Sequence, residues 1–136
     1  MNIFNTYLQY INETILILLE DNNIVLENDN LLEKIVVEVP KDKKFGDLST
    51  NAALVLSSTF KTKPFDVAKK LKLKFENHHD FYDVSIANPG FINFTLQEDV
   101  WQKLLFNLLE IGEWKYEQFG KNKNLNLEFV SANPTG

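Results

Sequence analysis

The feature that most constrains this chain is a fifteen-residue stretch, YDVSIANPGFINFTL at 82–96, in which two alternating runs flank Asn88-Pro89-Gly90. Alternation at period two is a strand signature, and Asn-Pro-Gly is turn chemistry, so the stretch predicts a β-hairpin. Side chains of a strand point to opposite faces in turn. Ile92, Phe94 and Leu96 therefore share one face, which is apolar and belongs in a core, while Phe91, Asn93 and Thr95 share the other. That second face sets a large aromatic beside an amide next to a turn. The apolar face calls for a layer of helices on one side of the sheet.

The rest of the chain supplies those helices and a further strand. Phe4, Tyr7, Leu8, Ile11, Ile15, Leu18 and Leu19 recur at the spacing of one helical face, predicting a helix over 3–20 that polar Asp21, Asn22 and Asn23 end. Ile35-Val36-Val37-Glu38-Val39 is β-branched and bounded by Pro40, which predicts a strand over 35–39. Asp47, preceded by Gly46, reads as the N-cap of a helix carrying Leu48, Ala52, Val55, Leu56 and Phe60. Pro64 suits the first position of another helix, with Phe65, Ala68, Leu71 and Phe75 inward and an end near Asn77. A last amphipathic helix follows Leu96 with Val100, Leu104, Leu105, Leu108 and Leu109, stopped at Gly112. Residues 113–124 read as a connector and 125–130 as one more strand. The fold class is α+β, two-layer, a small and mostly antiparallel sheet packed against amphipathic helices.

A chain of 136 residues with 44% hydrophobic content and 11 Phe has material for a true core. It has no Cys, hence no disulfide framework and no thiol nucleophile, and His78-His79 read as a solvated loop with no metal. The longest apolar run, Ile15 to Leu19, is far short of a membrane span, and no basic residue precedes Lys34 to make a signal sequence; a cytoplasmic location is expected. Net charge is −5, against indiscriminate nucleic-acid coating, but residues 41–75 hold nine Lys and three acids and so carry +6. Two readings stay open for that stretch: Lys as a solubilising residue in a chain with sixteen Asn and no Arg, or a phosphate-facing patch without bidentate forks. No set of residues assembles a catalytic motif. The Phe91–Asn93 face is either covered by something else or reads an unpaired RNA base, the aromatic stacking and the amide bonding a base edge.

Three stretches then resemble one family, arginyl-tRNA synthetase. FGDLSTNAALVLS (45–57) is similar to its Gly-Asp-x-x-x-Asn segment, IANPGFINFTL (86–96) to its Gly-Phe-Ile-Asn-Phe hairpin, and LEFVSANPTG (127–136) to the lead-in to the class I HIGH signature. The resemblance implies an N-terminal additional domain over 1–112, a connector over 113–124, and the first strand and signature start of a truncated catalytic domain over 125–136. It implies that Phe91, Asn93 and Gly90, with Lys41, Lys43 and Lys44, face the D-loop of tRNA(Arg). Glu128, Ser131 and Asn133 would hold arginine, and Ala132, Asn133, Pro134, Thr135 and Gly136 would open the signature. The parent enzyme, a cytoplasmic monomer without membrane attachment, would charge tRNA with arginine using ATP and Mg²⁺, and this stretch alone would be inactive. Within Gly-Asp-x-x-x-Asn a structural role is expected, Asp47 capping a helix and Asn51 bonding backbone. Phe91 stands where many members have Tyr, keeping the stacking face without the hydroxyl. The rival expectation is a stand-alone RNA-binding or protein-interaction α+β module without activity.

Overall fold

A computed structural model describes residues 3–26, 28 and 30–110, and the chain divides into two compact units, Met1–Thr95 and Leu96–Gly136. The connector at 113–124, the strand at 125–130 and every residue assigned to arginine or to the signature lie outside the described residues.

The first unit opens with α1 (Ile3–Asp21), which buries Tyr7, Ile11, Thr14, Ile15, Leu18 and Leu19 at helical spacing. It ends where the Asn22 side chain donates to the Leu18 carbonyl at 2.7 Å and Asn23 turns left-handed at φ 55°. A single turn, α2 (Asn30–Glu33), leads to β1 (Val37–Glu38), shorter than the five residues its β-branched run predicts. A 3₁₀ turn at Lys43–Phe45 follows, then β2 (Leu48–Thr50), α3 (Ala52–Phe60), α4 (Pro64–Phe75), β3 (Phe81–Ala87) and β4 (Phe91–Leu96). The hairpin β3–β4 is as predicted, with Asn88-Pro89-Gly90 as its turn. The sheet order is β1-β2-β4-β3, with β2 antiparallel to both neighbours.

Strand β2 corrects the expected helix at Asp47. Gly46 sits at φ 114°, where a Cβ would lie 2.7 Å from the Phe94 carbonyl oxygen, and the Asp47 N–H donates to that oxygen at 2.8 Å. The chain is thereby laid against β4 and continues as a strand, and the residue before α3 is Asn51, not Asp47. Helix α3 begins four residues later than its N-cap reading, its first N–H taken at 3.3 Å by the Thr50 hydroxyl. Asn51 does bond backbone: its Oδ1 accepts from Val36 N–H at 2.9 Å and its Nδ2 donates to the Lys34 carbonyl at 3.1 Å, tying α3 to the segment before β1.

Pro64 opens α4 as predicted, and Ala68, Leu71 and Phe75 are buried together with Val67, but Phe65 is turned outward. Helices α1 and α4 pack on each other and on the sheet, α1 against β1 and α4 against β3. Phe94 centres this layer, its ring 5.3 Å from that of Phe75 and 4.6 Å from that of Phe81. In the second unit α5 (Glu98–Glu110) carries Glu98 and Asp99 in its first turn, where the helix dipole favours acids. Its Val100 is buried, while Leu105 is exposed. No helix among the described residues is long and apolar enough to cross a membrane.

Candidate nucleic-acid interface

The register fixes which residues meet on each side of the sheet. Val37 pairs with Thr50 and Thr50 with Ile92, while Leu48 pairs with Phe94; these rows face the helices. Glu38, Ser49 and Asn93 form the intervening row and point to the opposite side. There the sheet is hollowed into an open cleft of about 590 Å³, walled by Val39, Pro40, Phe45, Ile86, Ala87 and Phe91, with Lys41, Glu38 and Asn88 at it as well.

The structure therefore brings together three residues singled out in the sequence, Phe91, Asn93 and Lys41, in one cleft. It alters the picture of Asn93: the residue lies on the predicted face, yet only 3% of it is exposed. Its side chain makes no hydrogen bond to any described residue, and neither does that of Ser49 beside it, which is also buried. Neither amide atom of Asn93 is among the side-chain polar atoms wholly shut off from solvent, so the amide presents its donor and acceptor to the open cleft.

The other candidates are placed differently. Gly90 is buried, and a Cβ on it would lie 2.8 Å from the Pro64 side chain, so the hairpin turn is seated against the start of α4. Lys43 and Lys44 stand exposed on the 3₁₀ turn next to Phe45. Lys44 reaches Asp42 at 3.7 Å and lies 5.1 Å over the Phe45 ring. The cleft residues that sequence reasoning missed are Ser49 and the wall made by Val39, Pro40 and Phe45. Their signal was hidden in β2, whose three residues are too short to announce a strand.

The histidine pair is not a solvated loop throughout. His79 is exposed, but His78 packs edge-on to Tyr10, with ring centres 4.4 Å apart, and 5.0 Å from Phe81. Burial pushes the His78 pKa below its ordinary value, with Asp80 opposing the shift and His79 reinforcing it. Burial likewise raises the Tyr10 hydroxyl, against a hydrogen bond with Thr14. Among the described residues, His78, His79 and Asp80 are the one set able to offer three metal ligands, with atoms within 4.8 Å of one another. Two of the atoms in this set have partners within the fold: His78 Nδ1 accepts the Asp80 N–H at 3.0 Å, and Asp80 Oδ2 accepts the Tyr7 hydroxyl at 2.9 Å.

Residues 5–96 match the family described as the arginyl tRNA synthetase N-terminal domain. The chain is 41% identical to an arginine–tRNA ligase of Ehrlichia ruminantium over 85% of its own length and 20% of the relative's. It is 40% identical to that of Ehrlichia chaffeensis over 100% of its length and 24% of the relative's. Against the arginine–tRNA ligase of Rhodopseudomonas palustris it is 46% identical, over 77% of this chain and 18% of the other. The chain thus spans less than a quarter of the length of these relatives.

Proposed function

The chain belongs to the arginyl-tRNA synthetase N-terminal domain family, and from that premise we propose that its sheet cleft recognises the D-loop of tRNA(Arg) on behalf of an arginine–tRNA ligase. One observation carries the reading: a nearly buried Asn93 amide, without a partner among the described residues, opens into a cleft beside the Phe91 ring. An unpaired base offers what both groups lack, a π-face for the ring and a donor–acceptor edge for the amide. Lys41 adds a cation at the same cleft, and Lys43 and Lys44 on the adjoining turn extend it as point charges toward phosphate. Gly90 serves by letting the turn close on Pro64 and so fixing where β4 begins.

In the reaction we infer for the enzyme, arginine is activated with ATP and Mg²⁺ to the adenylate and then transferred to the terminal ribose of the tRNA. Glu128, Ser131 and Asn133 would hold arginine there, and Ala132, Pro134, Thr135 and Gly136 would lead into the nucleotide site. The D-loop domain supplies no group to that chemistry. Its part is to add binding energy and to select the tRNA, in a cytoplasmic, monomeric enzyme.

The test is aminoacylation by the ligase carrying this chain, with tRNA(Arg) transcripts that differ only at D-loop bases. Asn93→Ala should erase the preference among those transcripts, and Phe91→Ala should cost about 1–3 kcal/mol in kcat/KM for tRNA. Variants that charge every transcript like the parent enzyme would sink the base-reading role.

A further inference from the structure

The cleft reading uses Lys41, Lys43 and Lys44 of the basic residues between 41 and 75, and the entry to α4 and α4 itself present a second group that the D-loop reading leaves idle. We propose that Lys61, Lys63, Lys69 and Lys70 form a separate contact surface for the RNA sugar–phosphate backbone, starting at the back of the hairpin turn and running along the outer side of α4. The proposal deepens the tRNA reading and rests on it.

Three observations converge. First, all four lysines are exposed and none has an ion-pair partner among the described residues. Lys74, further along α4, is by contrast paired with Asp21 at 2.9 Å. Second, Asp66 stands three and four residues before Lys69 and Lys70, the spacing at which helical ion pairs form, yet both ammonium groups turn away from it. Lys69 Nζ lies 5.0 Å over the Phe65 ring and Lys70 Nζ 5.7 Å over the Phe60 ring. An ammonium on an aromatic face keeps its full charge and offers its outward N–H groups, whereas a carboxylate partner would neutralise it. The outward placement of Phe65, unexplained by core packing, acquires a purpose as such a platform. Third, residues 60–70 hold these four Lys and one acid, Asp66, a local +3 in a chain of net −5. Such a surface attracts a polyanion locally while the molecule as a whole does not.

Position selects the same RNA as the occupant. Lys63 precedes Pro64, and Pro64 is the residue on which Gly90 of the hairpin turn rests, while Asn88 of that turn lines the cleft. The hairpin turn thus joins the edge of the cleft to the residue that follows Lys63. With no Arg in the chain, the contact is by point charges, without bidentate forks, and carries register and affinity but no base preference.

The experiment is tRNA(Arg) binding by the chain as a function of salt, between about 50 and 200 mM, for two charge-matched variants of one helix. Lys69→Gln/Lys70→Gln should flatten the slope of log K against log salt by about 1.4–1.8, or ~0.7–0.9 per phosphate lost. Lys72→Gln/Lys74→Gln, with the same charge change, should leave it unaltered. Gln is a good helix former, and thermal melts of both variants verify that the fold is kept. Equal flattening by both pairs means net charge alone and overturns the proposal, as does an unchanged slope in the first pair. Polyglutamate displacing the tRNA as well as an RNA homopolymer does would also overturn it, in favour of an acidic protein. Failure of the cleft reading is separately visible: Asn93→Ala would then keep D-loop discrimination while the Lys69/Lys70 slope still falls. Absence of tRNA binding at the lowest salt overturns both.

Discussion

The two faces of the four-stranded sheet are made by the same strands, residue by alternate residue, and both are shielded from water, but by different means. On the helix side Leu48, Thr50, Ile92 and Phe94 are closed off by α1 and α4, and Phe94 meets the rings of Phe75 and Phe81. On the cleft side Ser49 and Asn93 are sheltered by the rim of Val39, Pro40, Phe45 and Phe91, with side-chain amide and hydroxyl facing an open hollow. Burial on the first face is packing, and on the second it is shelter for groups that lack partners. The difference separates what holds this fold together from what it holds ready for a ligand.

That separation is broken most forcefully from the helix side. Phe94→Ala removes a ring that is 1% exposed and should cost about 3–5 kcal/mol, read as a lowered urea midpoint. Under conditions where the variant is still folded, its D-loop preference should survive, because the ring does not line the cleft. Lost discrimination in folded Phe94→Ala would show that the two faces are one unit. Next in size is Gly46→Ala, which forces a Cβ to 2.7 Å from the Phe94 oxygen at φ 114°. Strain there is worth about 1–3 kcal/mol and should register on both faces, because the neighbouring Phe45 is a wall of the cleft. A variant with altered stability but unaltered tRNA affinity would disconnect the Gly46 bend from the cleft.

A smaller change, of opposite sign, comes from the cleft side. Asn93→Leu replaces an unpartnered amide by an isosteric apolar group among apolar neighbours, and should stabilise the free chain by about 0.5–1 kcal/mol while abolishing D-loop discrimination. Loss of stability would mean that the amide has a structural partner and is not held for a ligand.

How far these faces could be read beforehand follows from the range of the forces that make them. The hairpin, α1 and α4 announce themselves because alternation and helical spacing are local properties of Tyr82–Leu96, Phe4–Leu19 and Pro64–Phe75. Strand β2 does not. Leu48-Ser49-Thr50 is extended only because Gly46 and the Asp47 N–H dock on Phe94, a partner more than forty residues away. Asn93 was assignable to a face but not to a depth, because the cleft in which it lies is walled in part by Val39, Pro40 and Phe45, brought there through that same unannounced strand. Phe65 kept the right helical phase for burial and is turned out beneath Lys69 instead. His78 looked polar beside His79, and its burial arises from Tyr10 on α1, across the helix layer.

His78 also provides the smallest test of the contrast, on the helix side alone. Its folded pKa is depressed, chiefly by burial, so the folded chain resists protonation more than the unfolded chain does. Where the unfolded state binds more protons, stability rises with pH. The contribution is fully present above the unfolded value of 6.5 and is lost as the pH falls from there through the lower folded value. The loss should be visible as a declining urea midpoint between neutral and mildly acid pH, and His78→Phe, which keeps the ring contacts to Tyr10 and Phe81, should flatten it. If the two faces are as separate as the geometry makes them, D-loop discrimination by the folded chain stays constant across that window. A discrimination that tracked the His78 titration would instead mean that the aromatic layer from His78 through Phe81 to Phe94 transmits its packing through β4 to Asn93.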